Sequence, residues 1–458
     1  MRRLRHDRRG ATALLFAVSA TALLSMVALA ADGGLLYLGQ RRAQNAADLA
    51  AVAAASAAET RTRNAALAAG SEVAGLNGFT SANGATVSVR SPPAEGAFKN
   101  NSQAYEVEIR YRQPLAMAGA LLGQPEGEVS GRAVAMLKGT TQVCLLALNG
   151  TVTVTNFSKF TASGCGLGAN GTGTGAVKID NSGSFSAQGA VTAGTCSGCT
   201  NPNVKLAEGY QDRAPAVANP YARLDSLTAP DPPCTSSTFT TYNSNNGSGP
   251  MRPFEQTGTA YCNAAYMLGN DNSMTLASGT YVFRNASLTV SNLSSFNCNG
   301  CTFIMVGTGS GTTASFAAQG LSTFNCDNCT IALLGSSPGK VSFSNLSSAR
   351  ISAPVTNSYD PALSGMIIAR ANSGPSGSSG SPTLLMSNLS AISILGGVYV
   401  PNGHARISNM SAPNPSTCLP LVAGTLEIGQ LSNFPFDVSG CPARNTAVPE
   451  IRVPRLVE

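Results

Sequence analysis

One short motif recurs through residues 141–458, and it limits what that part of the chain can fold into. It reads Thr155-Asn156-Phe157-Ser158, Asp180-Asn181-Ser182-Gly183-Ser184, Ser291-Asn292-Leu293-Ser294 and Gly320-Leu321-Ser322-Thr323. It returns as Ser344-Asn345-Leu346-Ser347, Ser387-Asn388-Leu389-Ser390, Ser408-Asn409-Met410-Ser411 and Ser432-Asn433-Phe434. Spacings are 25 residues from Asn156 to Asn181, 21 from Asn388 to Asn409 and 24 from Asn409 to Asn433; Asn292 to Asn345 is 53, about two such periods. Short β runs accompany the motif at 287–290, 302–306, 330–334, 365–369, 397–400 and 421–428, and no amphipathic helix stands out. A period in the twenties with short strands predicts a parallel β-helix (a solenoid). One repeat cannot bury its own apolar side, stacking buries it, and Asn, Ser and Thr side chains bond along the axis. The alternative is a β-sandwich with Ser/Asn-rich turns.

Composition agrees with a β-rich exported chain. Charged residues are 11%, against about 25% in ordinary soluble proteins. Residues 1–10 hold five Arg and one Asp, +4 of the net +6. The remainder is nearly neutral, and no nucleic-acid surface is expected. Two His, His6 and His404, argue against a His-built metal or catalytic site. The twelve cysteines all follow residue 143: Cys144, Cys165, Cys196, Cys199, Cys234, Cys262, Cys298, Cys301, Cys326, Cys329, Cys418 and Cys441. An even number in an oxidising compartment predicts up to six disulfides. Cys144/Cys165, Cys234/Cys262 and Cys418/Cys441 are natural neighbours, but connectivity is not readable from sequence.

Residues 10–31 carry no charge and are rich in Ala, Leu and Val. As a helix they span about 33 Å, enough for a bilayer core. The preceding arginines predict a cytoplasmic N-terminus. A cleaved signal peptide, with Ala28-Leu29-Ala30 as its site, is the alternative. Residues 32–70 are alanine-rich and predict a helix with a small-residue packing face, ended by Gly70 and Asn77-Gly78. Residues 80–140 read as a small α/β module. It has strands at 85–90, 105–112 and 128–138, a loop at 91–103, and a short helix at 115–122.

The N-terminal stretch carries a family resemblance. Arg9-Gly10-Ala11-Thr12-Ala13-Leu14-Leu15-Phe16-Ala17 opens the apolar run, and Asp32-Gly33-Gly34-Leu35-Leu36-Tyr37 follows it. Then comes Arg41-Arg42-Ala43-Gln44-Asn45-Ala46-Ala47-Asp48-Leu49-Ala50-Ala51-Val52-Ala53. This resembles the N-terminal segment of Flp (Tad) pilus-assembly proteins of the TadE/TadG-like family. Cys144-Leu145-Leu146-Ala147-Leu148, the Gly/Ser/Thr-rich region and the Val453-Pro454-Arg455-Leu456-Val457-Glu458 end look like TadG-like proteins without a von Willebrand A domain. The resemblance implies a single-pass bacterial inner-membrane protein with a periplasmic C-terminal part. It also implies a non-catalytic role beside other Tad pilus-machine proteins. Prepilins are cut after a Gly with Glu five residues on. Here Gly10 puts Leu15 at that place, so the resemblance does not carry prepilin processing to this chain.

Chemical motifs are weak. Asp180-Asn181-Ser182-Gly183-Ser184 matches a D-x-S-x-S metal motif, but the flanking helices of that fold are missing from the pattern. Gly166-Leu167-Gly168-Ala169-Asn170-Gly171 matches G-x-G-x-x-G with no helix to receive a pyrophosphate. Cys196/Cys199, Cys298/Cys301 and Cys326/Cys329 are C-x-x-C pairs, read as disulfides before zinc or redox sites. Asp225, Asp231, Asp271, Asp327, Asp360 and Asp437 are scattered, as turn residues are. The expectation is a mainly β, non-enzymatic protein with no catalytic, cofactor or metal residues. It has a basic arm (1–9), a transmembrane helix (10–31), an Ala-rich helix with a small α/β module (32–140), and a disulfide-braced parallel β-helix (141–458). Surface or glycan contacts are possible partners of the last part. An exported β-solenoid adhesin or carbohydrate-binding protein is the alternative function, ahead of a polysaccharide-active enzyme.

Overall fold

The structure, a computed structural model, describes residues 8–58, 62–117, 123, 125–180, 183–244, 249–309, 314–411 and 416–458. Residues 1–7 of the basic arm (1–9), most of the expected helix at 115–122, and Asn181 and Ser182 of the D-x-S-x-S motif lie outside the described residues. The chain forms two units: Met1–Thr140 with Arg452–Glu458, and Thr141–Ile451.

The first unit is built on α1, Arg8–Ala57, one helix of 50 residues, about 75 Å long at 1.5 Å per residue. Asp32-Gly33-Gly34 does not interrupt it. Its C-terminal part buries a stripe of alanines: Ala43, Ala46, Ala47, Ala50, Ala51, Ala54 and Ala55. The three-and-four spacing places them on one face. The sequence predicts one helix reaching Gly70. Instead α1 ends at Ala57, and α2, Arg63–Leu76, folds back on it, with Thr62 Oγ1 accepting from the Ala65 N–H. Gly70 is therefore not a terminator. It is buried inside α2, where a Cβ would stand 3.1 Å from Ala54 Cβ and 3.2 Å from the Ala50 carbonyl oxygen. The missing side chain lets the two helices approach at backbone distance. Asn77-Gly78 does end the helix; the Asn77 N–H and side-chain amide both donate to the Val73 carbonyl.

β1 (Thr86–Arg90), β2 (Ala104–Pro114) and β3 (Glu126–Ala147) pair antiparallel in chain order. Val107, Ile109, Ala133 and Ala135 pack on the alanine stripe. Gly131 sits where a Cβ would collide with the Ala43 carbonyl, so β3 meets the helix backbone directly. Residues 452–458, expected with the β-rich part, belong to this unit. The Val134 N–H donates to the Glu458 carbonyl (2.7 Å) and the Val457 N–H to the Val134 carbonyl (2.8 Å).

The second unit is mostly strand, and the strand pairings described within it are parallel. Partners lie one sequence period apart: Leu268 opposes Val290, Phe296 opposes Phe324, and Met386 opposes Ile407. Inward side chains stack from layer to layer, as in Phe160–Phe185 (4.5 Å between rings), Phe160–Phe436 (5.3 Å) and Phe296–Phe324 (5.1 Å).

The recurrent motif is a corner. Asn156, Asn270, Asn292, Asn345, Asn388 and Asn409 all hold positive φ, between 52° and 59°, and Gly320 takes the same place at 67°. Asn tolerates this left-handed region better than other side chains. The residue after most of these corners turns inward and is buried: Phe157, Leu293, Leu321, Leu346, Leu389 and Met410. The amides bond along the stack, Asn292 to Asn270 (3.2 Å), Asn388 to Asn345 (2.9 Å) and Asn409 to Asn388 (2.5 Å). Asn433 is not the equivalent corner. Gln430, at φ 53°, holds it, because Gly429 opposes both Ser408 and Thr155 and Leu431 is the buried follower.

Layer order is not chain order. Strands from 241 to 437 stack successively, and the last of them, Leu421–Asp437, lies against residues 145–163. Those in turn carry residues 166–187 and then 190–211. The chain thus builds its first layers in one direction, crosses to the far end, and returns to its starting layer. The crossing segment bonds to the layers in their spatial order. Ala214 N–H donates to Thr192 O (2.9 Å), Val217 N–H to Asn170 Oδ1 (2.7 Å), Asn219 Nδ2 to Tyr399 Oη (2.8 Å) and Thr235 N–H to Ala260 O (2.7 Å). Strands Cys301–Val306, Thr330–Leu334 and Met366–Arg370, on one side of the stack, are buried at every position, inward and outward alike.

Candidate functional site

Two regions of α1 differ in kind. Leu14, Leu15, Phe16, Val18, Leu23, Leu24, Met26, Val27 and Leu29 are 57% to 78% exposed on a helix with no charge from residue 10 to 31. From Asp32 onward one face of the helix packs against its own unit, while Tyr37, Leu38 and Leu49 on the rest of its surface stay exposed. Asp32 is 5% exposed, and its carboxylate accepts the N–H groups of Ala116 (2.7 Å) and Met117 (3.1 Å).

One helical turn apart, two glutamines of α1 bond to β3. Gln40 Nε2 donates to the Ser130 carbonyl (2.5 Å) while its Oε1 accepts the Ser130 N–H (3.2 Å). Gln44 repeats this with Arg132 at 2.9 and 3.3 Å, and also donates to Asp48 (2.7 Å). Helix spacing of four residues thus matches alternate residues of a strand, and the amides satisfy backbone groups that β2 does not reach. Sequence reasoning saw Gln44 and Asp48 in the motif but missed this use. The only signal was a pair of glutamines at i, i+4 beside an alanine face.

A second feature missed in sequence is the carboxylate of Glu106, 1% exposed. It accepts from Arg90 Nε (2.7 Å), Arg132 Nε (2.5 Å) and the Ala94 N–H (2.9 Å). Burial pushes its pKa up, but the Ala94 N–H and the two guanidinium groups outweigh that and hold it below the usual carboxylate value. Arg132 also binds the Glu458 side chain at 3.0 Å.

The twelve cysteines form six disulfides: Cys144–Cys165, Cys196–Cys199, Cys234–Cys262, Cys298–Cys301, Cys326–Cys329 and Cys418–Cys441. Cys298 opposes Cys326 in register, so two C-x-x-C pairs close equivalent turns of adjacent layers. The Gly166–Ala169 part of the G-x-G-x-x-G match is a fully buried strand. The scattered aspartates are held separately. Asp225 accepts from Tyr399 Oη (2.9 Å), Asp231 pairs with Arg284, Asp271 accepts the Ser244 N–H (2.9 Å), and Asp327 pairs with Arg350 (3.0 Å). Asp360 caps Ala362, and Asp437 accepts from Val438 and Ser439. His404 Nε2 lies 3.2 Å from the Glu427 carboxylate. An open polar cleft of about 460 Å³ is lined by Asp231, Asn263, Arg284, Asn285 and Thr308 among others.

Among the described residues one helix is long and apolar enough to cross a membrane, and one face of its C-terminal part packs on a small antiparallel sheet. Residues 10–57 match the family model described as Flp pilus-assembly TadE/G-like, so the chain carries a Tad-like domain. That match is nearly coextensive with α1. No curated protein and no solved structure matches the chain.

Proposed function

We propose that this protein is a non-enzymatic component of Flp/Tad pilus assembly, anchored in the bacterial inner membrane by residues 10–31, with residues 1–9 in the cytoplasm and the residues after 31 in the periplasm. The observation that carries the reading is the coincidence of the Tad-like match with a helix that is exposed and apolar at one end and packs an alanine face against its own unit at the other. The anchor is then continuous with the folded unit, a rigid link to partners in the pilus machine. Residues 141–451 serve as a disulfide-braced parallel β-helix for structural or adhesive contacts. The in-register parallel pairings and the stacked asparagine corners support that architecture. The separate engagement of each aspartate supports a non-enzymatic role.

An in-frame deletion complemented in trans tests the reading. Loss of surface pili with normal pilin levels supports a place in the assembly machine. Normal pili and normal adhesion refute it. Glycan binding by an exported solenoid is the second reading, favoured by the polar cleft at Asp231 and Arg284. Normal pili with reduced adhesion, and binding on a glycan array, would favour it.

A further inference from the structure

The charge-free stretch of α1 ends at Ala31, and Asp32 is the first charged residue beyond it. β3 runs beside α1 in the same direction. A Cβ on Gly127 would lie 2.6 Å from Leu36 Cδ2, Ser130 bonds to Gln40, and Arg132 bonds to Gln44. Pro114 opposes Glu126, so the end of β2 and the start of β3 lie nearer the N-terminus of α1. There the backbone N–H groups of Ala116 and Met117 reach back to the Asp32 carboxylate. Charge also runs out on this hairpin at the same level. Arg112 and Glu126 are the last charged residues of its two strands, and Leu115, Ala116 and Met117 carry none.

We propose that the end of the β2–β3 hairpin, at Leu115, Ala116 and Met117, rests in the lipid interface beside α1 as a second membrane contact positioned by Asp32. The proposal rests on the reading of α1 as a membrane anchor. A carboxylate at the edge of hydrocarbon must be solvated or hydrogen-bonded. Here the hairpin backbone supplies those bonds, and in return Asp32 fixes how far the hairpin reaches. The occupant is lipid, because the hairpin end stands alongside the point where the apolar helix surface begins.

The test uses the full chain in liposomes with an environment-sensitive fluorophore on one added cysteine, L24C, M117C or S81C, and nitroxide-bearing lipids as quencher. Quenching at L24C and M117C well above that at S81C, lost at M117C but kept at L24C in D32A, is expected. D32N, which keeps an acceptor oxygen, should fall between and guards against a D32A chain that does not fold. Quenching at L24C with M117C no different from S81C overturns the proposal and leaves the anchor standing; that is also the result if another protein's helix covers the hairpin end. No quenching at L24C overturns the anchor reading itself. Equal quenching at M117C in wild-type and D32A chains overturns the part assigned to Asp32.

Discussion

Replacing Glu106 by Gln should loosen the first unit by an amount set by its surroundings. The carboxylate is almost fully buried between Arg90, Arg132 and the Ala94 N–H. Breaking a buried ion pair by removing one partner costs about 3–5 kcal/mol. The cost here should be smaller. Arg90 and Arg132 are 39% and 32% exposed and keep Glu108 and Glu458 at 2.9 and 3.0 Å, so water and those carboxylates recover part of the loss. About 2–3 kcal/mol remains, which is about a 30- to 150-fold rise in amide exchange at β2. Hydrogen exchange on the detergent-solubilised full chain reads this locally, which matters because two units need not unfold together. The pH dependence has a fixed sign. Because the folded state lowers the Glu106 pKa, the group's contribution is complete above the ordinary carboxylate value of 4.5 and is lost as pH falls through the folded value. Wild-type β2 should therefore lose protection in acid, and E106Q should lose less. Exchange within a few-fold of wild type at neutral pH, or an undiminished acid response in E106Q, would refute the reasoning.

At Gly70 any side chain meets Val89, Ala54 and the Ala50 carbonyl at 3.0 to 3.2 Å. G70L should cost at least about 1–3 kcal/mol by overpacking and G70A less, read as protease sensitivity of α2. Asn388 holds φ 55° and bonds to Asn345 and Asn409. N388A should cost about 1–3 kcal/mol, since it loses those bonds and strains the backbone. N388G loses only the bonds and should be milder, and urea midpoints give the order. Among the disulfides, loop length sets the scale. Removing Cys234–Cys262, separated by 28 residues, should cost about 3–4 kcal/mol, and Cys196–Cys199, separated by 3, about 1–2 kcal/mol. Equal shifts for the paired serine variants would contradict the chain-entropy account.

What could be read in the sequence was what near neighbours decide. The uncharged run, the alanine spacing, the alternation in β2 and β3, and the Asn-apolar corner each follow from a few adjacent residues. So did the end of α2 at Asn77-Gly78. Contacts between distant residues decided the rest. Gly70 looked like a stop because a glycine weakens an isolated helix; only the Ala50–Ala54 surface against it makes it an interior residue. Gln40 and Gln44 have no local reason to face a strand. Asn433 matched the motif by composition, while register gave its place to Gln430. The order of layers was the least legible. Each layer offers nearly the same apolar interior and the same corner, so the sequence does not distinguish which one follows which. Pairing of residues 421–437 with 145–163, and the course of the segment after residue 211, are settled only when the whole stack is assembled. Local propensity specifies the repeating unit, and long-range burial specifies its neighbours.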